Sequence, residues 1–278
     1  MSSDNTIVLY HAGCLDGMAA AMACWMRYPE ADLVACRHGD PAPDVAGRKV
    51  MVVDFAFPRE ETKRMIETAA SFLLLDHHAT NAEDLKGLPG CVFDMKRSGA
   101  MLAWDWAFQG EESQWWVKYV QDRDLWKHEL PDTHEVNAYF SSLPLELEAW
   151  IQGVLKTSLR DAKSAGIHLL RERKKRIAVA VTQAAPFTLF GYTVPAVNLS
   201  DDTIISEVLS ELCKGEAFAV AWSERMLPRR HVLLQFRSDG QRGSLDVGSL
   251  AKQHGGGGHA KAAGAQLWGE RVTWALES

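Results

Sequence analysis

The chain has 278 residues, 47% of them hydrophobic, enough to build one large core or two modest ones. No stretch approaches 18 uninterrupted apolar residues, so the sequence predicts no transmembrane helix. The net charge of −6 is uneven: residues 1–150 carry 13 Lys and Arg against 24 Asp and Glu, a balance that argues against binding long nucleic acid through its backbone.

The first residues lack a basic leader and run at once into an apolar segment, so a signal peptide is not expected. Five cysteines (Cys14, Cys24, Cys36, Cys91 and Cys213) without zinc-type pairing read as reduced thiols, the expectation for a cytoplasmic protein. Residues 6–10 form a predicted strand and 16–26, rich in Ala and Met, a helix. A second strand spans 49–53, an amphipathic helix 58–70, a third strand 72–75 and a short fourth 91–93. Ser98 is a plausible N-cap for a helix over 99–108. Apolar strands alternating with helices predict an α/β fold with a doubly wound, mostly parallel sheet over residues 1–144.

Residues 145–185 read as a helical linker. Its basic run, 171–176, is expected to be a solvated helix face, with guidance of an anionic substrate as the alternative. From 186 to 278 a smaller second α/β domain is predicted, with strands at 187–190, 193–197, 218–222 and 232–236 and helices at 203–213 and 249–254.

Polar residues gather where the N-terminal apolar runs end. His11 and Asp16 follow the first strand, Asp54 the second, and Asp76-His77-His78 the third, while Asp122 and Asp124 follow the helical run around 115–120. Parallel strands deliver their C-terminal ends to one edge, so groups more than 100 residues apart can converge there. Each residue alone has a bland reading: His11 a satisfied loop histidine, Asp16 a helix cap, Asp54 a turn former. Together, carboxylates and imidazoles suit Mn²⁺, with Mg²⁺, Fe²⁺, Co²⁺ or Zn²⁺ as competitors. More than four donors points to two ions, an arrangement that activates water for attack on a phosphoryl group.

Near the C-terminus lies Gly255-Gly256-Gly257-Gly258-His259. It reads as a flexible linker or as a backbone nest for an anion, and its place inside the second domain favours the nest. His259 would then touch a phosphate oxygen or a base.

The triplet at 76–78 and the glycine run at 255–259, in this order and separation, resemble the two name-giving signatures of the DHH/DHHA1 phosphoesterase superfamily. The resemblance spans nearly the whole chain and implies a manganese-dependent phosphoesterase of the oligoribonuclease or RecJ type, its site in the cleft between the domains. It implies His11, Asp16, Asp54, Asp76, His77 and Asp122 or Asp124 as metal ligands, Asp54 and Asp76 bridging. His78 becomes a supporting or substrate-facing group, and Arg237 with the glycine run the substrate-binding set. Many relatives carry Asp-x-Asp-Gly in the first motif, where this chain has Cys14-Leu15-Asp16-Gly17. Either one ion is then held more weakly or Cys14 itself coordinates. The implied substrate is a short oligonucleotide or small phosphorylated nucleotide. Hydrolysis of inorganic polyphosphate or pyrophosphate, or nucleotide sensing without catalysis, stay open as alternatives, and a homodimer is allowed.

Overall fold

The computed structural model describes residues 5–226, 230–241 and 243–268. Its described residues divide into two compact units, up to Leu170 and from Arg171 onward.

The first unit is built on strands β1 (Thr6–His11), β2 (Asp32–Cys36), β3 (Lys49–Val53), β4 (Ser71–Asp76) and β5 (Cys91–Phe93). They form one sheet in the order β2-β1-β3-β4-β5, with every neighbouring pair parallel. The central strands are buried on both faces, which is why they read as unbroken apolar runs. The strand order reverses between β1 and β3, the point at which open α/β sheets leave a crevice beyond their C-terminal ends.

Helix α1 (Leu15–Arg27) packs on one face of the sheet, and Met18 through Cys24 are fully buried. Its small side chains admit α4 (Gly99–Ala107) at close range, backed by α5 (Trp115–Asp124), α6 (Thr133–Ser142) and α7 (Leu147–Trp150). Trp104, Trp116, Phe140 and Trp150 fill this layer. The opposite face is covered by Phe55, Phe57, by Met65 of α2 (Arg59–Thr68), and by Leu85 just after α3 (Ala79–Asp84). Ser98 does cap α4, accepting the Met101 N–H at 3.3 Å. Strand β2 and helices α3 and α6 escape the sequence reading; β2 is a short, half-exposed edge strand.

After α7 comes a π-helical turn, Ile151–Leu155, and then α8 (Leu159–Thr182). The basic run of α8 is more than a solvated face: Arg173 is mostly buried and binds Glu207 at 2.6 Å, while Arg176 binds Asp201 at 2.5 Å. Both pairs tie the C-terminal part of α8 to the stretch around α9 (Ile205–Leu212).

The second unit holds β6 (Ala185–Leu189), β7 (Tyr192–Asn198), β8 (Ala219–Arg225), β9 (His231–Arg237), β10 (Gly257–His259) and β11 (Ala262–Trp268). They form a mixed sheet ordered β10-β11-β9-β8-β7-β6, in which the β7–β8 pair is parallel. Helix α10 (Val247–Gln253) precedes the glycine run.

The four glycines have separate duties. Gly255, at φ +75°, ends α10: its N–H donates to Lys252 and that of Gly256 to Ala251, the hydrogen-bond pair of a Schellman cap. A Cβ on Gly256 would lie 2.0 Å from the Gly264 oxygen, and one on Gly258 2.6 Å from that of Ala262, so both glycines permit close pairing with β11. A Cβ on Gly257 meets nothing within 4 Å.

Among the described residues, no helix is long and apolar enough to cross a membrane.

Candidate metal centre

The C-terminal ends of β1, β3 and β4, the start of α1 and the end of α5 bring the acidic and imidazole side chains together. The donor atoms fall into three overlapping groups, each within 4.8 Å: Asp54, Asp76, His77 and His78; His11, Cys14 and Asp54; and Asp16, His77 and Asp124.

Asp54 lies at the middle. It follows β3 with a left-handed φ of 53°, a strained conformation for a residue with a side chain that Asp tolerates better than most. Its N–H still donates to the Leu75 carbonyl at 3.0 Å, which keeps it registered with β4. One carboxylate oxygen accepts from His77 Nε2 at 3.2 Å. The other, Oδ2, is buried without a hydrogen-bond partner, as is His11 Nδ1 3.6 Å away.

Asp16 is held by a different helix from its own. Its oxygens accept the Gly99 N–H at 2.5 Å and the Ala100 N–H at 3.0 Å, both at the start of α4. The carboxylate is thus fixed by charge-assisted bonds at a helix N-terminus. Gly17 lets α1 approach β1, since a Cβ there would lie 2.4 Å from the His11 oxygen.

Asp76 is fully buried. Its Oδ1 accepts from the His77 N–H at 2.8 Å and bonds His78 Nδ1 at 2.7 Å, while Oδ2 accepts from Asn81 at 2.7 Å. The His78 ring is therefore oriented by Asp76. His77 Nε2 faces three carboxylates: Asp54 at 3.2 Å, Asp124 at 3.5 Å and Asp16 at 3.7 Å.

Geometry separates the two fourth-motif candidates. Asp122 belongs to none of the three groups; its carboxylate turns away to accept the backbone N–H groups of Glu129 and Leu130 at 2.9 and 3.4 Å. Asp122 and Asp124 lie two residues apart on α5, about 200° around the helix, so one side chain alone can reach the cluster.

Protonation reflects crowded, buried negative charge. Burial, then the Asp54 and Asp124 carboxylates, push Asp16 well above the ordinary carboxylate range, and burial also raises Asp124. Burial, with Asp54 and Asp16, raises the Cys14 thiol. Burial opposes charge on His77 too, but the Asp54 bond and the Asp124 and Asp16 carboxylates prevail and lift it to about 9. Burial likewise works against Asp54, yet His11 and His77 hold it well below its usual value. The donor set fits a divalent cation, which would replace the imidazolium proton as the positive charge and would give Asp54 Oδ2 and His11 Nδ1, which have no hydrogen-bond partner, a ligand to share.

Several contributors carry no sequence signal of their own. Asn81 grips Asp76. His38 follows the unrecognised strand β2 and sets its ring 5.6 Å from His11 and 5.0 Å from Phe55. Gly99 and Ala100 act through backbone, which composition does not mark. In the second unit, Arg237 ends β9 opposite Ala262 and Ala219, and His259 is exposed on β10.

No family model matches the chain. Among curated proteins it is similar to the uncharacterized protein R106 of Acanthamoeba polyphaga mimivirus, 23% identical over 294 residues that cover 95% of this chain and 68% of that one. Among solved structures it is similar to the pGpG-specific phosphodiesterase PggH of Vibrio cholerae, with 13% identity, a TM-score of 0.52 and coverage of 94% and 92% of the two chains. It is similar also to the DHH domain of a member of a ribosomal-protein family, at 14% identity, TM-score 0.61 and 99% and 85% coverage. Exonuclease RecJ bound to manganese matches at 13% identity, TM-score 0.57 and 95% and 86% coverage. Sheet order, the second unit and these likenesses agree on the fold: the chain shares the α/β architecture of these solved structures.

Proposed function

We propose that the protein is a metal-dependent phosphoesterase that hydrolyses phosphodiester bonds of short oligonucleotides or small nucleotides. The observation that carries this reading is the convergence of His11, Cys14, Asp16, Asp54, Asp76, His77 and Asp124 into overlapping donor groups at one sheet edge. The solved relatives of the same fold include a pGpG-specific phosphodiesterase and a manganese-bound exonuclease.

Bound cations, Mn²⁺ by this reading, would supply Lewis acidity for water and phosphoryl oxygens. His11, Cys14, Asp16, Asp54, Asp76, His77 and Asp124 would hold them, with Asp54 shared between groups. Asp76 orients His78 through Nδ1, leaving Nε2 to face substrate. Asp16, fixed by the start of α4, cannot swing away when charge changes nearby. Arg237 and the segment 255–259 of the second unit are assigned to grip the substrate's phosphates, where Gly255 and Gly257 are the glycines at which an added Cβ would meet nothing within 4 Å.

The test is a product profile with Mn²⁺ over pNpN dinucleotides, longer RNA, cyclic dinucleotides, pAp and polyphosphate. Preferred turnover of the short nucleotides supports the proposal; turnover of polyphosphate alone replaces it with a phosphatase, and tight nucleotide binding without product replaces it with a sensor. Asp76→Asn is expected to abolish turnover while the circular dichroism spectrum stays that of the unaltered chain.

A further inference from the structure

Cys14 occupies a place where the resemblance leads one to expect a carboxylate, and the structure puts its sulfur among donors. Sγ lies with a His11 ring nitrogen and an Asp54 oxygen in one group, all within 4.8 Å. A second observation at the same spot points to a cation as the ligand. Asp54, 1% exposed, directs Oδ2 toward His11 Nδ1 at 3.6 Å, and neither atom has a hydrogen-bond partner. Cys24, Cys36, Cys91 and Cys213 are also free thiols, but none joins a donor group among the described residues.

We propose that the centre is chemically asymmetric: Cys14, His11 and Asp54 form a thiolate-containing site selective for a thiophilic divalent cation, beside an oxygen-rich site of Asp16, His77 and Asp124. The proposal rests on the metal-dependent reading above and sharpens it. Thiolate favours Zn²⁺, Co²⁺ or Fe²⁺ over Mn²⁺ and Mg²⁺, whereas carboxylates with one imidazole accept the harder ions. On binding, the Cys14 S–H bond breaks, the S–metal bond forms and one proton goes to solvent. Asp54 belongs to the thiolate group and to the Asp76–His77–His78 group, and His77 belongs to that group and to the oxygen-rich site, so occupancy of the two sites is coupled through Asp54 and His77. A protein of this kind would hold two different metals rather than a matched pair.

Titration with Co²⁺ tests the assignment independently of turnover. The unaltered chain should develop a near-ultraviolet thiolate-to-cobalt charge-transfer band, along with visible d–d bands. Cys14→Ser and Cys14→Asp should lose the charge-transfer band and keep the d–d bands. Cys14→Asp should also shift the Mn²⁺-to-Zn²⁺ affinity ratio toward Mn²⁺ by about tenfold or more. Iodoacetamide labelling of the unaltered chain, read by mass spectrometry, needs no variant to fold: Zn²⁺ should protect Cys14 and Mg²⁺ should not. Charge transfer absent from the unaltered chain, a band that survives Cys14→Ser, or equal alkylation with and without Zn²⁺ would overturn the thiolate site while leaving a metal centre standing. Failure to bind either Co²⁺ or Mn²⁺ would remove both readings.

Discussion

Gly99→Ala tests whether the start of α4 sets the geometry of the centre. The backbone at Gly99 is compatible with any residue, so the effect must come from contact. An added Cβ would lie 2.5 Å from Asp54 Cβ, 2.9 Å from Asp16 Oδ2 and 3.1 Å from Asp54 Cα. Carbon atoms pack at about 3.5–4.0 Å, so α4 or Asp54 must withdraw by about 1 Å. Asp54 is buried and already strained, which leaves the helix to move. That movement lengthens the Gly99 and Ala100 hydrogen bonds to Asp16 together. Overpacking costs about 1–3 kcal/mol, offset by up to about 1 kcal/mol from replacing a helical glycine. A net loss of about 1–2 kcal/mol is expected. A displacement of about 1 Å at a catalytic constellation costs about 100-fold in turnover, so activity should suffer more than stability. Thermal unfolding with and without Mn²⁺, calorimetric Mn²⁺ binding and turnover are the measurements. Wild-type melting temperature and Mn²⁺ affinity in the variant would show that the contact does not govern the site.

Asp122 and Asp124 should separate stability from metal binding. Asp122→Asn weakens two backbone hydrogen bonds and should cost about 1–3 kcal/mol in denaturant unfolding with little change in metal affinity, while Asp124→Asn should do the reverse; identical behaviour of the two would refute the assignment. In the metal-free protein, His77 is raised from 6.5 to about 9, so its contribution, about 3 kcal/mol, is fully present below pH 6.5 and lost as pH rises through about 9. Asp16 and Asp124, also raised, act with the same sign. Melting curves in chelator should therefore fall between pH 6.5 and 9, and metal affinity should rise over the same range as His77 gives up its proton; a flat chelated profile would contradict the electrostatics. Arg237→Ala should raise KM by about 10- to 100-fold, the equivalent of a charged hydrogen bond worth about 1.5–3 kcal/mol, and unchanged kinetics would take Arg237 out of the substrate site.

Much of the site is legible in the chain because parallel strands end at one edge. An apolar run followed by Asp or His places that side chain there whatever the rest of the fold does, and so His11, Asp54 and the 76–78 triplet stand out from spacing alone. The Gly255–Gly258 tract is legible as a feature but not in its parts. One glycine caps α10, two admit β11, and one faces open space, distinctions made by the neighbouring strand's atoms. Strand β2, a short, half-exposed edge strand with four apolar residues in a row, escapes the sequence reading, and His38 is lost with it.

What tertiary structure alone decides is orientation. Asp122 and Asp124 are equivalent as sequence, but the turn of α5 sends one to backbone amides and the other to His77. Asp16 looks like a cap of its own helix, yet it is the N-terminus of α4, 83 residues away, that holds it. Cys14 is a substitution in the sequence and becomes a donor only where β1, α1 and β3 bring sulfur, imidazole and carboxylate within 4.8 Å. Local pattern determines which residues reach the edge, because strand and helix periods are short-range properties. Which atoms face one another there depends on packing between segments far apart in the chain, information that no local window contains.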